Sequence, residues 1–599
     1  MNLFHSYLKK FLISFFILLL ALTVNASLVN NSIVGFWIWV NESLLAVAFT
    51  LFFAFGISCV FFFFTASFLE STLMSTFLFV ALGLISFVKN RMLNGPLLPT
   101  DFYVIWEAEE ILRIAPLIKI SVLLVILLGT GAGLFYYFRT RVRHFKRPHV
   151  FYRLPVLLGG TILVCLLILR NNPIHDSLFG ETFIFNQKSP KNSVRQLGQV
   201  VSFIALIEQG LLIPPLDTSP ELYETLLREI KSDSDKQISS DFKPDILVIM
   251  SESLFDPMQL KGIRWKRDPL KFSRTLSADE NMNRMIVPTY GGKTANTEFG
   301  FLTGFNQRFL SVGAVAYESL ISHPIESLPR QLSELGYHTV AIHPGVRQFW
   351  NREKVYSLMG FQQYISVEEF KNPHLFAENI TDLSILPILQ KSLEEKRSPQ
   401  FRFVVTIQNH WPFTDPFDLS ETDFELEGLS PAEKIALNHY TRGLHQTDEF
   451  HRKLILWLES RARPTVVMIF GDHLPALLPD QGLYRGRLIP DLESHELAPE
   501  DLVNLYRTPL LLWSNFKIHF PKGQIASTFA GVSLLKSLGL RLTPFQYFVT
   551  NVGEKIPTLS RFFPDEVSAN ESSLIKKYWV LQYSMMSNGS VPPLKLEEK

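Results

Sequence analysis

Five short apolar runs between residues 246 and 470 each lead into a group able to do chemistry. "ILVIM" (246–250) is followed by Ser251 and Glu252, and "MIVP" (285–288) by Gly291, Gly292 and Thr294. "HTVAIH" (338–343) ends on His343, "FVVTIQNHWPF" puts His410 just past its run, and "TVVMIFGDHLP" ends on Asp472 and His473. Glu252, Asp472 and His473 supply two carboxylates and an imidazole, a donor set that suits a hard divalent cation such as Mg²⁺ or Mn²⁺. Thr294 can complete the shell as an alkoxide, because a bound metal lowers the hydroxyl pKa and sharpens the nucleophile. Gly291 and Gly292 let the backbone come close to a phosphate. "TANTEFGFLTGF" (294–305) reads as a helix start, whose free N–H groups would stabilise anionic oxygens near Thr294.

Each piece has a plainer reading when it stands alone. "GDH" is a common strand-to-loop turn, Glu252 can cap a helix, and His343 and His410 can be hydrogen-bonded loop histidines. Gly292, Lys293 and Thr294 look like the tail of a phosphate-binding P-loop, but Val287 stands where that motif needs its first glycine. The runs are rich in β-branched residues, and with "PLLLW" (509–513) they suit a mostly parallel sheet covered by helices. "PIESLPRQLSELG" and "GVSLLKSLGL" suit the crossovers. In open α/β sheets the carboxyl edge of the strands is where ligands bind. Five chemical groups expected on that one edge make a common site the stronger reading.

The chain has 599 residues, room for several domains, and its 47% hydrophobic content is concentrated in the first third. Apolar stretches near 11–28, 42–66, 71–88, 117–138 and 154–170 are candidate membrane spans. The first is alternatively a signal peptide cleaved after Ala26, which would leave the remaining topology unchanged. The basic stretch 139–153 and the pair Lys9 and Lys10 point to the cytoplasm, so five spans put everything after about residue 171 outside. Between the third and fourth spans, 94–116 has the spacing of a short helix, lying in the outer interface or packing on its neighbours. A formal charge of +1 gives no support to a nucleic-acid partner. Cys59 and Cys165 both fall in apolar runs, so no disulfide framework or cysteine zinc site is available. The expected domains are a membrane anchor (1–170), a linker with short helices (171–240) and a catalytic domain (241–599).

With these motifs in order, the chain resembles the lipoteichoic acid synthase and phosphoglycerol transferase family of the alkaline phosphatase and sulfatase superfamily. The resemblance rests on "MSESL", "GGKTANTEF", "HPGVRQFWNREKVY", "IQNHWPF" and "GDH", together with the anchor and "GPLLPTDF". It implies a sulfatase-like α/β domain behind about five transmembrane helices. It also implies one divalent metal, usually manganese with magnesium or zinc as alternatives, on Glu252, Thr294, Asp472 and His473. His343, Trp350, Arg352 and His410 fall where the family binds glycerol phosphate. Arg352 offers a forked, permanently charged donor, and Trp350 can wall the glycerol. The implied reaction takes glycerol phosphate from phosphatidylglycerol, through a phospho-threonine, to a lipoteichoic acid-type polymer, a glycolipid or a glucan outside the cytoplasmic membrane. A phosphoethanolamine transferase of the same superfamily is the nearest alternative. Such enzymes typically carry soluble-domain disulfides, and this chain has no cysteine there. A non-catalytic membrane sensor or scaffold is the alternative from another class.

Overall fold

A computed structural model of the chain describes residues 2–102 and 149–587 apart from 33, 94, 170–172, 187–189, 278–281, 395–398, 416, 492–496, 562 and 565–566. The chain forms two compact units, Met1–Gly210 and Leu211–Lys599.

In the first unit, four helices among the described residues are long and apolar enough to cross a membrane: Leu12–Val29, Leu44–Thr65, Phe68–Arg91 and Val150–Ile168. These match four of the five expected spans. The expected span at 117–138, the short helix within 94–116 and the basic stretch up to 148 lie largely or wholly outside the described residues. Apolar side chains alone give little reason for helices to associate in lipid, so polar contacts and close packing must supply it. Asn25 Nδ2 donates to the Phe79 carbonyl at 2.6 Å, and Ser58 Oγ donates to Ser75 Oγ at 2.8 Å. The "GPLLPTDF" stretch is tied back by Asp101, which accepts from Lys89 Nζ at 2.6 Å and from the Leu98 N–H at 2.7 Å. Of the expected linker, helices Pro173–Ser177 and Pro190–Gln209 fall in this unit, and Pro220–Ser234 falls in the second.

The second unit is built on an eight-stranded sheet. Its strands are β1 (Asp245–Ser251), β2 (Asn283–Ile286), β3 (His338–Ile342), β4 (Gln363–Ile365), β7 (Gln400–Val405), β8 (Thr465–Gly471), β9 (Arg507–Ser514) and β10 (Ile525–Ala526). A small hairpin, β5 (Leu375–Phe376) and β6 (Asn379–Ile380), stands apart from it. The order is β10-β2-β9-β8-β1-β7-β3-β4, with all neighbours parallel except at β9, which runs against both β2 and β8. All six expected strands are present. The additional β4, β10 and hairpin strands are two or three residues long, too short to show a period.

Every residue of β1, β7 and β8 is buried, as befits strands covered on both faces. Leu247 and Ile249 of β1 pack in the core that includes Leu437, Leu444 and Leu454 of the long helix Pro431–Glu459. The alternate residues point to the other face. There Phe301 of the helix Thr294–Thr303 packs on Phe403 and Phe470, the ladder partners of Val248 and Met250. A Ser430 cap, with Glu433 closing the capping box, starts the long helix.

Candidate active site

Strand register brings the first set of chemical groups together. Ser251 of β1 pairs with Gly471 of β8, so the next residues, Glu252 and Asp472, leave the sheet side by side. Gly471 is required at that exit, because a Cβ there would lie 2.3 Å from the Leu254 carbonyl oxygen. Glu252, Asp472 and His473 each offer a ligand atom within 4.8 Å of the others, and all three are buried. Thr294 joins them: its Oγ1 donates to Asp472 Oδ2 at 2.8 Å. Thr294 is the first residue of its helix, as the sequence suggests. Gly291, at φ 68°, makes the turn before it with Ala476 packed beneath, a conformation glycine reaches without strain.

Neutral donors hold the ligand atoms in place. Asp472 Oδ1 accepts the backbone N–H groups of Ser253 (2.7 Å) and His473 (2.9 Å), and Ser253 Oγ donates to Glu252 Oε1 at 2.8 Å. The Glu252 N–H is bound by Thr406 Oγ1 at 3.0 Å, and Thr297 Oγ1 donates to the Asp472 carbonyl at 2.8 Å. Burial, and then the adjacent Asp472 carboxylate, push the Glu252 carboxyl up to about 8. His473 Nδ1 lies 3.0 Å from the Leu474 carbonyl, an acceptor only, so Nδ1 carries a proton there. In the neutral ring Nε2 then turns its lone pair toward Asp472 Oδ2 at 3.2 Å and Glu252 Oε1 at 3.7 Å. Lone pairs facing each other repel unless a proton or a cation sits among them. A divalent cation fits this buried oxygen and nitrogen donor set.

The second set lies on neighbouring strand exits. His343 follows β3, and its Nδ1 lies 3.0 Å from the Val405 carbonyl of β7. His410 is half-buried, with Nδ1 2.8 Å from the Trp411 carbonyl. By the same argument, each neutral ring keeps Nε2 as the proton-accepting nitrogen. Burial, then the charge of Arg352, holds His343 well below the ordinary histidine range, and His410 adds to the effect. Arg352 is 1% exposed. Its Nε and Nη2 donate to Glu298 Oε1 at 3.1 and 2.7 Å, while Nη1 has a 3.5 Å contact with the Phe349 carbonyl. Trp350 is buried beside Phe349, with ring centroids 5.2 Å apart.

Backbone strain collects beside these residues. Ser253 (φ 54°) follows Glu252, Lys293 (φ 64°) precedes Thr294, and Trp350 and Asn351 (φ 57° and 55°) precede Arg352. Left-handed backbone at non-glycine positions costs on the order of 1–3 kcal/mol each and persists where surrounding contacts enforce it. The sequence reading did not single out Ser253, Thr406 or Glu298. Glu298 carried a visible signal: it lies four residues after Thr294, on the same face of the predicted helix, as a carboxylate in an apolar stretch.

A mostly parallel sheet that delivers a threonine, two carboxylates and histidines to its carboxyl edge defines an alkaline phosphatase-like domain. Residues 244–534 match the Sulfatase family model. A "Putative cyclic beta-1,2-glucan modification protein" of Rhizobium meliloti is 32% identical over 328 residues, 53% of this chain and 50% of that protein. The "Lipoteichoic acid synthase-like YvgJ" of Bacillus subtilis is 23% identical over 254 residues, 40% of this chain and 38% of that protein. The chain spans about half the length of the curated relatives it matches. Among solved structures, the Streptococcus pyogenes phosphoglycerol transferase GacH superposes with a TM-score of 0.53 at 23% identity, covering 64% of this chain and 97% of that one, which shows a shared fold. These matches make the second unit similar to the Sulfatase family and the chain similar to lipoteichoic acid synthases and phosphoglycerol transferases.

Proposed function

We propose that the protein is a membrane-anchored, metal-dependent transferase that moves glycerol phosphate from phosphatidylglycerol to an acceptor outside the cytoplasmic membrane. One observation carries the reading: the Thr294 hydroxyl, at a helix N-terminus, is hydrogen-bonded at 2.8 Å into a buried cluster of Glu252, Asp472 and His473. Glu252, Thr294, Asp472 and His473 would hold the metal, manganese by family resemblance. When bound, a divalent cation supplies Lewis acidity that acidifies the threonine hydroxyl and offsets phosphoryl charge.

Thr294 Oγ1 attacks phosphorus. A threonine–phosphorus ester bond forms as the bond from phosphorus to the diacylglycerol oxygen breaks. The hydroxyl proton ends on the departing diacylglycerol. An acceptor hydroxyl then attacks the same phosphorus, and the Nε2 of His410 or His343 takes its proton. The bond to Thr294 breaks, the side chain regains a proton, and the acceptor leaves carrying glycerol phosphate. Two displacements replace one difficult step. The backbone N–H groups at the start of the Thr294 helix and the Arg352 guanidinium would orient the phosphoryl oxygens. Four apolar helices keep the protein in the bilayer that holds both the donor and the diacylglycerol product.

The Rhizobium meliloti relative, whose name speaks of cyclic glucan modification, favours a glucan among the envelope acceptors. The test uses the full-length protein and phosphatidylglycerol labelled in its acyl chains. Thr294→Ala is expected to stop diacylglycerol release; undiminished release excludes Thr294 as the nucleophile.

A further inference from the structure

Glu298 has no part in the displacement outlined above, yet it is as fully enclosed as Asp472. Its side chain is 0% exposed, and it lies four residues after Thr294 on the same helix. Both carboxylate oxygens are occupied: Oε1 accepts from Arg352 Nε and Nη2, and Oε2 accepts from the Tyr356 hydroxyl at 2.6 Å. Arg352 and Tyr356 lie one turn apart on the helix Arg352–Met359. Glu298 therefore ties the helix that starts with Thr294 to the helix that carries the guanidinium.

The pairing has two consequences. Of the five guanidinium N–H groups, the one on Nε and one on Nη2 point at Glu298, which leaves the Nη1 edge, among the described residues, with a 3.5 Å contact to the Phe349 carbonyl. The direction in which Arg352 can donate is thus set by Glu298. The positive charge is also cancelled at 2.7 Å by a carboxylate, and both side chains are buried, where charges act on each other strongly. His343, which feels the charge of Arg352, is held well below the ordinary histidine range by burial and then by Arg352 itself. Arg352 thus offers directed hydrogen bonds with its own charge already balanced by Glu298.

We propose that Glu298 is a positioning and specificity residue: its carboxylate aims the Arg352 guanidinium and cancels its charge, so that the site takes a singly charged phosphodiester in preference to a doubly charged phosphate monoester. This rests on the phosphoryl-transfer reading above and narrows its substrate class. A phosphodiester carries one negative charge, whereas a monoester carries nearly two at pH 8, because its second proton leaves near pH 6. An uncompensated arginine would favour the dianion; a compensated one removes that advantage.

The test is calorimetric binding to the full-length, manganese-loaded protein in detergent at pH 8. Glycerol phosphate serves as the monoester probe and glycerophosphoglycerol as the diester probe. The readout is the ratio of their affinities, which a merely structural role would not move. In Glu298→Gln the ratio is expected to shift about tenfold toward the monoester. In Glu298→Asp, which keeps the charge, it is expected to stay within threefold of the wild type even if both affinities fall. A folded Glu298→Gln protein with an unchanged ratio overturns the proposal. If that variant does not melt cooperatively, Glu298→Gln combined with Arg352→Gln removes both charges together. The combined variant is expected to keep the wild-type ratio, and a shift beyond threefold overturns the proposal. Wild-type protein that binds neither probe brings down the transferase reading as well; wild-type protein that binds both while the ratio ignores residue 298 brings down only the role of Glu298.

Discussion

Strand β1 has a buried carboxylate at each end, and the fold treats the two in opposite ways. At its start, Asp245 accepts the Gln400 N–H at 3.0 Å, Arg463 Nε at 2.7 Å and Arg461 Nη2 at 3.0 Å. Just past its end, Glu252 has a serine hydroxyl, a second carboxylate and an imidazole for neighbours. The first carboxylate has its counter-charges built into the chain. The second sits in a cluster whose acidic groups exceed its basic ones. Burying an unpaired charge costs several kcal/mol, so the amino edge of the sheet is neutralised from within, while the carboxyl edge has a donor set that a cation from outside could complete. Arg352 and Glu298 follow the first pattern although they lie beside the second.

The sharpest way to break this comparison is at Asp472, which is both a ligand candidate and the partner of the Thr294 hydroxyl. Asp472→Asn should lower transfer on the order of 10⁴-fold while the protein still melts cooperatively. Full activity in that variant would show that the cluster is structural. His473→Ala removes a neutral donor, so it should weaken manganese binding by at least about 100-fold, read by metal analysis of the purified protein. Retained stoichiometric metal would separate His473 from the site.

The opposite end should respond in a different currency. Asp245→Asn leaves two arginines without their anion and is expected to destabilise the protein by about 3 kcal/mol, with metal content unchanged. Loss of metal without loss of stability there would invert the assignment of the two ends.

The smallest effect concerns pH in metal-free protein. The folded-state pKa of Glu252 lies near 8, above its ordinary 4.5, so the folded state favours the protonated carboxyl. This contribution to stability is complete below about 4.5 and is lost as pH rises through about 8. The melting temperature of chelator-treated protein should therefore fall by a few degrees between pH 5 and pH 9, and manganese should flatten the trend. A melting temperature that climbs over that range in metal-free protein would contradict the environment described for Glu252.

Much of this architecture was legible along the chain. Six apolar runs became strands because burial on both faces demands unbroken β-branched and aromatic residues, a demand that each run states locally. The four described spans followed from length and hydropathy alone. The reversed direction of β9 was not legible, since "PLLLW" reads the same in either orientation. Nor was the role of Arg352: as a single residue it looked like a ready phosphate donor, and only packing showed its guanidinium held by Glu298.

The sequence by itself determined which residue types stand at the strand exits and which segments suit the bilayer, because composition and spacing are properties of short stretches. The tertiary structure decided which buried charges are answered and which are left waiting. Ser253 reaches Asp472 across 219 positions, and Arg352 reaches Glu298 across 54. Compensation between charges depends on separation in space, which order along the chain does not encode.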